Sequence, residues 1–189
     1  MNMRIRAALL AVLVLLPFTS AFAGKYEDTI RIFKNAGASG VFFDSAYGYA
    51  VFPTIGKGGF WLGGAYGTGR AYVGNRHVGD TTMTQLTVGF QFGGQAFSEI
   101  IFFQDKRAFD EFTSGNFEFG AEAGVVAITA GASASAGTTG TSAGASGGQN
   151  TATTVGNTYN KGMATFTIAK GGLMYEAVIG GQKFKYMPR

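Results

Sequence analysis

The chain of 189 residues lacks cysteine, has one histidine and three prolines, and only 14% of its residues are charged. Without cysteine it can form no disulfide, no cysteine-ligated zinc site and no iron–sulfur cluster, and it has no cysteine nucleophile. The single histidine, His77, excludes a multi-histidine metal site within one chain. Low charge combined with 46% hydrophobic residues excludes intrinsic disorder for the chain as a whole. No cofactor and no metal are predicted.

Glycine and aromatic residues are abundant, and together they indicate β-structure. The chain has 31 glycines and 18 phenylalanines, and both residue types are poor helix formers. Glycines inside strand patterns, such as Gly89, indicate bulges or sharp curvature. We therefore predict an α+β fold that is mostly antiparallel β, with a strongly curved or barrel-like sheet, an N-terminal amphipathic helix and one short additional helix.

Alternating apolar and polar residues, bounded by Gly-Gly pairs, give the predicted strand positions. The strands are predicted over 82–92, 96–103, 117–125, 163–169, 173–179 and 182–186. Two Gly-Gly turns join the last three of these, which predicts an antiparallel meander. Asp105 is predicted to cap a short helix that Gly115 closes.

The first 23 residues have the pattern of a cleavable secretory signal peptide. Arg4 and Arg6 precede an apolar run over 7–18, and an A-x-A motif ends at Ala23. As a helix this run would be about 18 Å long, against the roughly 30 Å of a bilayer core, so a membrane anchor is the weaker interpretation. We predict cleavage before Gly24 and a periplasmic or secreted protein, with no cysteine there for lipid attachment.

The remainder, 24–189, is predicted to be a single domain. Within it, the segment at about 137–158 consists almost wholly of small and polar residues, and we predict a flexible loop there. Loss of Arg4 and Arg6 with the signal peptide lowers the formal net charge from +4 to +2. Such a small charge does not predict nucleic acid as a partner.

Residues 25–36 have helical periodicity, with Tyr26, Ile30 and Phe33 on one face. The other faces carry Lys25, Glu27, Asp28, Arg31 and Lys34. Two interpretations are open. The helix either packs on the sheet through its apolar stripe, or it touches a membrane with its cations near lipid phosphates.

Signatures of catalysis are weak throughout the chain. No G-x-S-x-G motif accompanies His77, and Glu118 and Glu122 would lie about 13 Å apart on one strand, too far for a coupled pair. The glycine-rich run over 63–70 lacks the strand–helix context of a phosphate-binding loop. The protein is predicted not to be an enzyme. A hydrolase of an envelope polymer stays open only if the fold supplies a second acid or base near these carboxylates.

Several short segments have the pattern of one known family. They are YAVFP (49–53), KGG (57–59), GTG (67–69), QLTVGFQFGG (85–94), SEIIFF (98–103), 117–131 and KGGLMYEAVIGGQKFKY (170–186). Together they resemble the SYLF-domain family, and most of all its bacterial secreted branch. The segment 137–158 resembles an insertion into that pattern.

The resemblance implies a non-enzymatic, lipid-binding module. Eukaryotic relatives bind phosphoinositides, partly through an N-terminal amphipathic helix, and some engage actin, whereas bacterial relatives are envelope proteins. In a periplasm neither actin nor phosphoinositides are expected, so the implied ligand is a phospholipid headgroup or a fatty acyl chain met by peripheral contact. The lipid-binding residues so implied are Lys25, Tyr26, Ile30, Arg31, Phe33, Lys34 and Lys57. The alternative is a structural envelope-integrity protein that acts through protein partners.

Overall fold

The computed structural model describes residues 19–59, 62–88, 95–120, 125–128, 159–170 and 181–189. The helices in these ranges are α1 (Thr19–Asn35), α2 (Gly37–Gly40), α3 (Phe42–Ser45) and α4 (Lys106–Phe112). The strands are β1 (Gly48–Gly59), β2 (Leu62–Val73), β3 (Arg76–Val88), β4 (Gln95–Phe103), β5 (Phe117–Glu118), β6 (Val125–Ile128), β7 (Met163–Lys170) and β8 (Gln182–Pro188).

These eight strands form one sheet in the order β5-β8-β3-β2-β1-β4-β7-β6. All neighbouring pairs are antiparallel except β6 and β7, which run parallel. The end of the sheet where β1 leads into β2 and β3 leads into β4 is called the loop end below. The predicted class, mostly antiparallel β with an N-terminal helix, is confirmed.

A hydrogen bond between distant strands demonstrates the strong curl of the sheet. Gln182 in β8 donates from Nε2 to Oε2 of Glu99 in β4 over 3.0 Å. Since β3, β2 and β1 separate these strands, four strand spacings would hold them roughly 19 Å apart in a flat sheet. The sheet therefore curls into a half-barrel whose inner face carries both side chains, which confirms the predicted curvature.

Alternate residues of the central strands enter two separate cores. In β1, Ala50 and Phe52 point to the inner face, whereas Tyr49 and Val51 point to the outer face. The buried residues of the inner core are Ala50, Phe52, Ile55, Ala65, Met83, Phe97, Ile101, Phe103, Ala108, Phe112, Phe119, Met163 and Phe184. Those of the outer core are Phe33, Phe42, Tyr49, Val51, Tyr72, Ile100, Phe102, Ala164, Phe166 and Ile168. Burial on both faces explains the continuous apolar runs of β1 and β4.

Different helices cover the two faces. Phe33 of α1 and Phe42 of α3 belong to the outer core, so the N-terminal helices pack on the outer face. Ala108 and Phe112 of α4 belong to the inner core, so α4 covers the inner face. The predicted helix over 25–36 is thus present, although α1 begins earlier, at Thr19, and ends at Asn35.

Glycines of β2 make room for large side chains of β1. A Cβ on Gly69 would lie 2.6 Å from ring carbons of Phe52, and one on Gly67 would lie 2.6 Å from Cγ1 of Ile55. The β1–β2 register shifts beside Phe52, between Val51 and Thr54. In-strand glycine therefore marks an irregularity, as the sequence predicts.

The short helix α4 begins as predicted. The Asp105 carboxylate accepts a hydrogen bond from the backbone N–H of Ala108 over 2.8 Å, which is an N-cap. The helix ends at Phe112, and Gly115 follows with a φ of +102°. This φ lies in the left-handed region that favours glycine, so Gly115 takes the chain out of the helix.

Two predictions of strand arrangement are wrong. Instead of one strand over 117–125, β5 pairs with β8 and β6 pairs with β7, at opposite edges of the sheet. The C-terminal meander is also contradicted, because β7 is flanked by β4 and β6 while β8 is flanked by β3 and β5. The middle segment 173–179, the 137–158 segment, Gly93-Gly94 and residues 1–18 lie outside the described residues.

None of the helices that the structure describes is both long and apolar enough to cross a membrane.

Candidate functional site

The apolar stripe of α1 faces the sheet. Phe33 is fully buried, and Tyr26 and Ile30 are half-buried against the outer core. The Ser39 hydroxyl donates a hydrogen bond to the Phe33 carbonyl over 2.6 Å, which fixes the end of the helix. The structure thus shows the packed-helix arrangement. These three aromatic and aliphatic side chains could reach lipid only if α1 left the sheet.

Tyr26 also covers a cation of the sheet. The guanidinium carbon of Arg70 lies 4.1 Å from the centroid of the Tyr26 ring, a cation–π geometry. Arg70 lies 3.8 Å from Asp80 as well, measured from Nε to Oδ1. Burial raises the pKa of Tyr72, and a hydrogen bond from Arg70 opposes that rise. Arg70 therefore anchors α1 to the sheet.

The three predicted cations of α1, Lys25, Arg31 and Lys34, are exposed. Arg31 donates from Nη2 to Oδ1 of Asp28 over 2.7 Å, and both side chains are largely in solvent. The carboxylate offsets the Arg31 charge locally, although such exposed pairs add little stability.

Lys25 lies close to a lysine from the far end of the chain. Burial lowers the pKa of Lys170 at the end of β7, and the charge of Lys25 lowers it further. The Lys170 ammonium donates a hydrogen bond to the Thr54 hydroxyl in β1 over 2.8 Å. Within the described parts of the chain, Lys170 makes no ion pair with a carboxylate. Lys170 therefore lies within electrostatic range of Lys25 on α1.

Lys57 lies apart from the other predicted lipid contacts. Its Cα partners are Ala65 and Gln95, and Ala65 belongs to the inner core. Lys57 is half-buried and lies on the inner face near the loop end. The seven predicted residues therefore do not form one site, because α1 lies on the outer face.

A neutral carboxyl group lies inside the half-barrel. Glu99 is fully buried, and burial raises its pKa from 4.5 to about 8, while the hydrogen bond from Gln182 opposes the rise. Oε1 of Glu99, Oε1 of Gln182 and the Thr167 hydroxyl have no hydrogen-bond partner among the described residues. A proton on Glu99 supplies a donor that the ionised carboxylate lacks. At neutral pH the group is therefore a carboxylic acid.

His77 contributes to the fold at the end of the sheet opposite the loop end. Its Nδ1 accepts from Nη1 of Arg189 over 2.9 Å, so Nε2 bears the hydrogen and faces Gly79 O and Asp80 Oδ1, each at 3.1 Å. These contacts tie the C-terminal residue to the β2–β3 hairpin.

Of the two carboxylates considered for hydrolysis, the structure describes Glu118. Glu118 makes an ion pair with Lys183 on the neighbouring strand, with Oε2 and Nζ 3.4 Å apart. Glu122 lies outside the described residues. In the part of the chain that the structure describes, no three His, Asp or Glu side chains are grouped so that they could hold a metal ion.

Two important contacts are not predicted from the sequence. Lys170 ends a strand before a Gly-Gly pair, a position typical of a solvated lysine, and nothing local indicates that it meets Lys25. The buried Glu99 stands out within the apolar run SEIIFF, but no local pattern identifies Gln182 as its partner. In both cases the strand order creates the contact.

These features describe a curled antiparallel sheet with a packed N-terminal helix and an exposed lysine at the end of β7, and comparison with known proteins assigns its family. A family model described as "Ysc84: Las17-binding protein actin regulator" matches residues 84–183, more than half of the chain. The chain belongs to this family, the SYLF family.

A curated bacterial relative agrees with this assignment. The chain is 34% identical over 158 residues to "Beta cell expansion factor A" of Aeromonas veronii. The match covers 82% of this chain and 51% of the relative, so the chain spans about half the length of that protein.

Proposed function

We propose that this protein is a non-enzymatic, lipid-binding protein of the bacterial cell envelope that associates peripherally with membrane phospholipid. The observation that carries the proposal is Lys170, an exposed lysine whose ammonium donates to the Thr54 hydroxyl over 2.8 Å and makes no ion pair with a carboxylate of the described residues. An anionic phosphate beside Lys170 would stabilise its charged form, which burial and, to a smaller extent, the charge of Lys25 disfavour. Membership of the SYLF family supports the same function.

The proposal alters the lipid-contact set inferred from the sequence. Lys25 and Lys34 remain exposed candidates, whereas Tyr26, Ile30 and Phe33 pack on the sheet. Lys170 joins the set because it lies beside Lys25. Contact through surface cations predicts weak, reversible and salt-sensitive binding.

Vesicle co-sedimentation tests the function. The purified protein is mixed with vesicles of phosphatidylglycerol and phosphatidylcholine, or of phosphatidylcholine alone, at low and high salt. We expect it to sediment with the anionic vesicles at low salt and to be released at high salt. Binding that ignores salt would indicate an acyl-chain site instead of a charged surface. Failure to sediment with either vesicle would contradict lipid binding and favour an envelope-integrity protein that acts through protein partners.

We further propose that the protein works in the periplasm or is secreted. The support is the amino-terminal pattern described above, with charged, apolar and A-x-A segments. Mass spectrometry of protein recovered from the periplasm should show an amino terminus at Gly24. A full-length chain confined to the cytosol would contradict this location.

A further inference from the structure

The outer face of the sheet is only partly covered by helices. Tyr26 of α1 reaches as far as Arg70 in β2. From there toward the loop end, the side chains described on the outer face of β1, β2 and β3 are mostly open to solvent. Its exposed residues are Thr54, Gly56, Gly58, Tyr66, Thr68, Thr84 and Leu86.

Strand register places lysines on both sides of this open area. One row of Cα partners crosses six strands in the order Lys183, Thr84, Tyr66, Gly56, Ala96 and Lys170. A second row beside it contains Lys185, Thr82, Thr68 and Thr54. We call the two rows together with Leu86 the lysine–threonine face.

Because Ala96 is small, the ammonium group of Lys170 can lie near the centre of the face. Between Lys170 and β1 stands only Ala96, and the Lys170 ammonium reaches across it to the Thr54 hydroxyl. Lys185 makes no ion pair within the described residues, whereas Lys183 is offset by Glu118 at 3.4 Å. Neither row contains a carboxylate, and Glu118 in β5 lies next to them as the partner of Lys183. The face is therefore positive.

Two large side chains, Tyr66 and Leu86, are exposed on this face among its glycine and threonine residues. Leu86 is 80% exposed and Tyr66 is 56% exposed. Tyrosine suits the boundary between water and lipid because its ring is apolar and its hydroxyl is polar. A leucine with this exposure gains by entering an apolar layer.

We propose that the lysine–threonine face is the membrane-docking surface, with an anionic phospholipid bilayer as its partner. Lys170 and Lys185 contact lipid phosphates, and Tyr66 and Leu86 enter the headgroup layer. An anionic polysaccharide would match the lysines but would leave Leu86 in water. The inference rests on the proposed lipid-binding function and gives it a location distinct from the exposed side of α1.

Absence of cysteine permits a direct test by site-specific labelling. Leu86→Cys is labelled with an environment-sensitive fluorophore. Two matched variants carry the same label at exposed positions elsewhere: Ile32→Cys on the outside of α1, and Gln104→Cys beside α4. Each labelled protein is titrated with vesicles of phosphatidylglycerol and phosphatidylcholine, and with phosphatidylcholine alone.

We expect a blue shift for the label at Leu86 with anionic vesicles and none for the label at Gln104. A shift at Ile32 without one at Leu86 would overturn the docking surface while leaving lipid binding intact. If the unlabelled protein does not sediment with anionic vesicles, the proposed function itself fails. The two failures are thereby distinguished.

Charge substitution provides a second measurement. Lys170→Gln combined with Lys185→Gln should weaken partitioning to anionic vesicles about 25-fold, since each lysine near such a membrane contributes roughly fivefold. The control, Arg76→Gln combined with Lys106→Gln, removes the same net charge from other exposed sites. Equal losses in both double variants would show that net charge matters and the lysine–threonine face does not. Circular dichroism checks that both double variants are folded like the wild-type protein.

Discussion

Toward the loop end, the inner and outer faces of the half-barrel are made by the same strands yet differ in chemistry. In β2 the inner positions Ala65, Gly67 and Gly69 are small, because Phe52 and Ile55 of β1 occupy the space beside them. The alternate positions of β2 point outward and include Tyr66 and Thr68, which are exposed. A single strand therefore encodes core packing on one side and a polar surface on the other.

This difference explains the glycine-rich run over 63–70, which superficially resembles a phosphate-binding loop. Its glycines accommodate neighbouring side chains within a strand and do not shape a loop around an anion. The groups that can meet anions, Lys170 and Lys185, come from other strands. On the inner face, by contrast, the carboxyl group of Glu99 is kept neutral because burial raises its pKa.

The largest expected effect concerns the inner core. Phe184 is almost fully buried and its ring lies 5.0 Å from that of Phe112 and 5.6 Å from that of Phe52. Phe184→Ala should lower the free energy of unfolding by about 3–5 kcal/mol, as expected for a large cavity in a packed core. Urea denaturation measures the change, with the outer-face variant Tyr66→Ala as control. A loss for Tyr66→Ala as large as that for Phe184→Ala would contradict the difference between the faces.

A pH-dependent effect should come from Glu99. Its folded-state pKa of about 8 lies above the ordinary value of 4.5, so between these values the folded protein binds one proton more than the unfolded chain. Its contribution to stability is therefore full below about pH 4.5 and is lost as the pH rises to about 8. The slope for one proton is at most about 1.4 kcal/mol per pH unit.

Glu99→Gln removes the titration and keeps the size of the side chain. We expect its free energy of unfolding to change less between pH 5 and 9, by on the order of 4 kcal/mol less than in the wild type. Urea denaturation at several pH values compares the two proteins. Parallel pH profiles would show that Glu99 is not the group responsible.

A smaller difference in stability is expected between alanine substitutions at two glycines of adjacent strands. Gly69→Ala places a methyl group against the Phe52 ring on the inner face, whereas a Cβ on Gly56, on the outer face, would meet nothing within 4 Å. We expect Gly69→Ala to destabilise the protein by about 1–3 kcal/mol. Gly56→Ala should be neutral or slightly stabilising. Thermal unfolding of both variants checks the order, and equal melting temperatures would contradict the close approach.

Local patterns predicted local structure well. The cap at Asp105, the strand over 96–103 and the curvature indicated by in-strand glycine all follow from neighbouring residues. The C-terminal meander failed because Gly-Gly pairs were interpreted as tight hairpins, and hairpins imply that successive strands are neighbours. In the fold β7 and β8 lie on opposite sides of the central strands, and nothing local specifies such pairing.

The candidate site was predictable to a lesser extent for the same reason. The amphipathic pattern of α1 is compatible with either a sheet or a membrane as the surface that buries its apolar stripe. Only the tertiary structure shows that Phe33 packs on the sheet. Lys25 was identified from the helix pattern, but its neighbour Lys170 depends on how β7 enters the sheet. The lysine–threonine face takes its residues from six strands, so no contiguous sequence motif identifies it.

The smallest expected effect concerns Arg31, which the sequence places among the lipid contacts. Its guanidinium is paired with Asp28 and largely exposed, so Arg31→Gln should change the free energy of unfolding by less than about 0.5 kcal/mol. If the lysine–threonine face docks on the membrane, partitioning to anionic vesicles should fall less than twofold in this variant, against about fivefold for Lys170→Gln. Co-sedimentation of the two single variants ranks them directly. A greater loss for Arg31→Gln would move the membrane contact to α1, because a residue already neutralised by its neighbour can matter only where lipid displaces that neighbour.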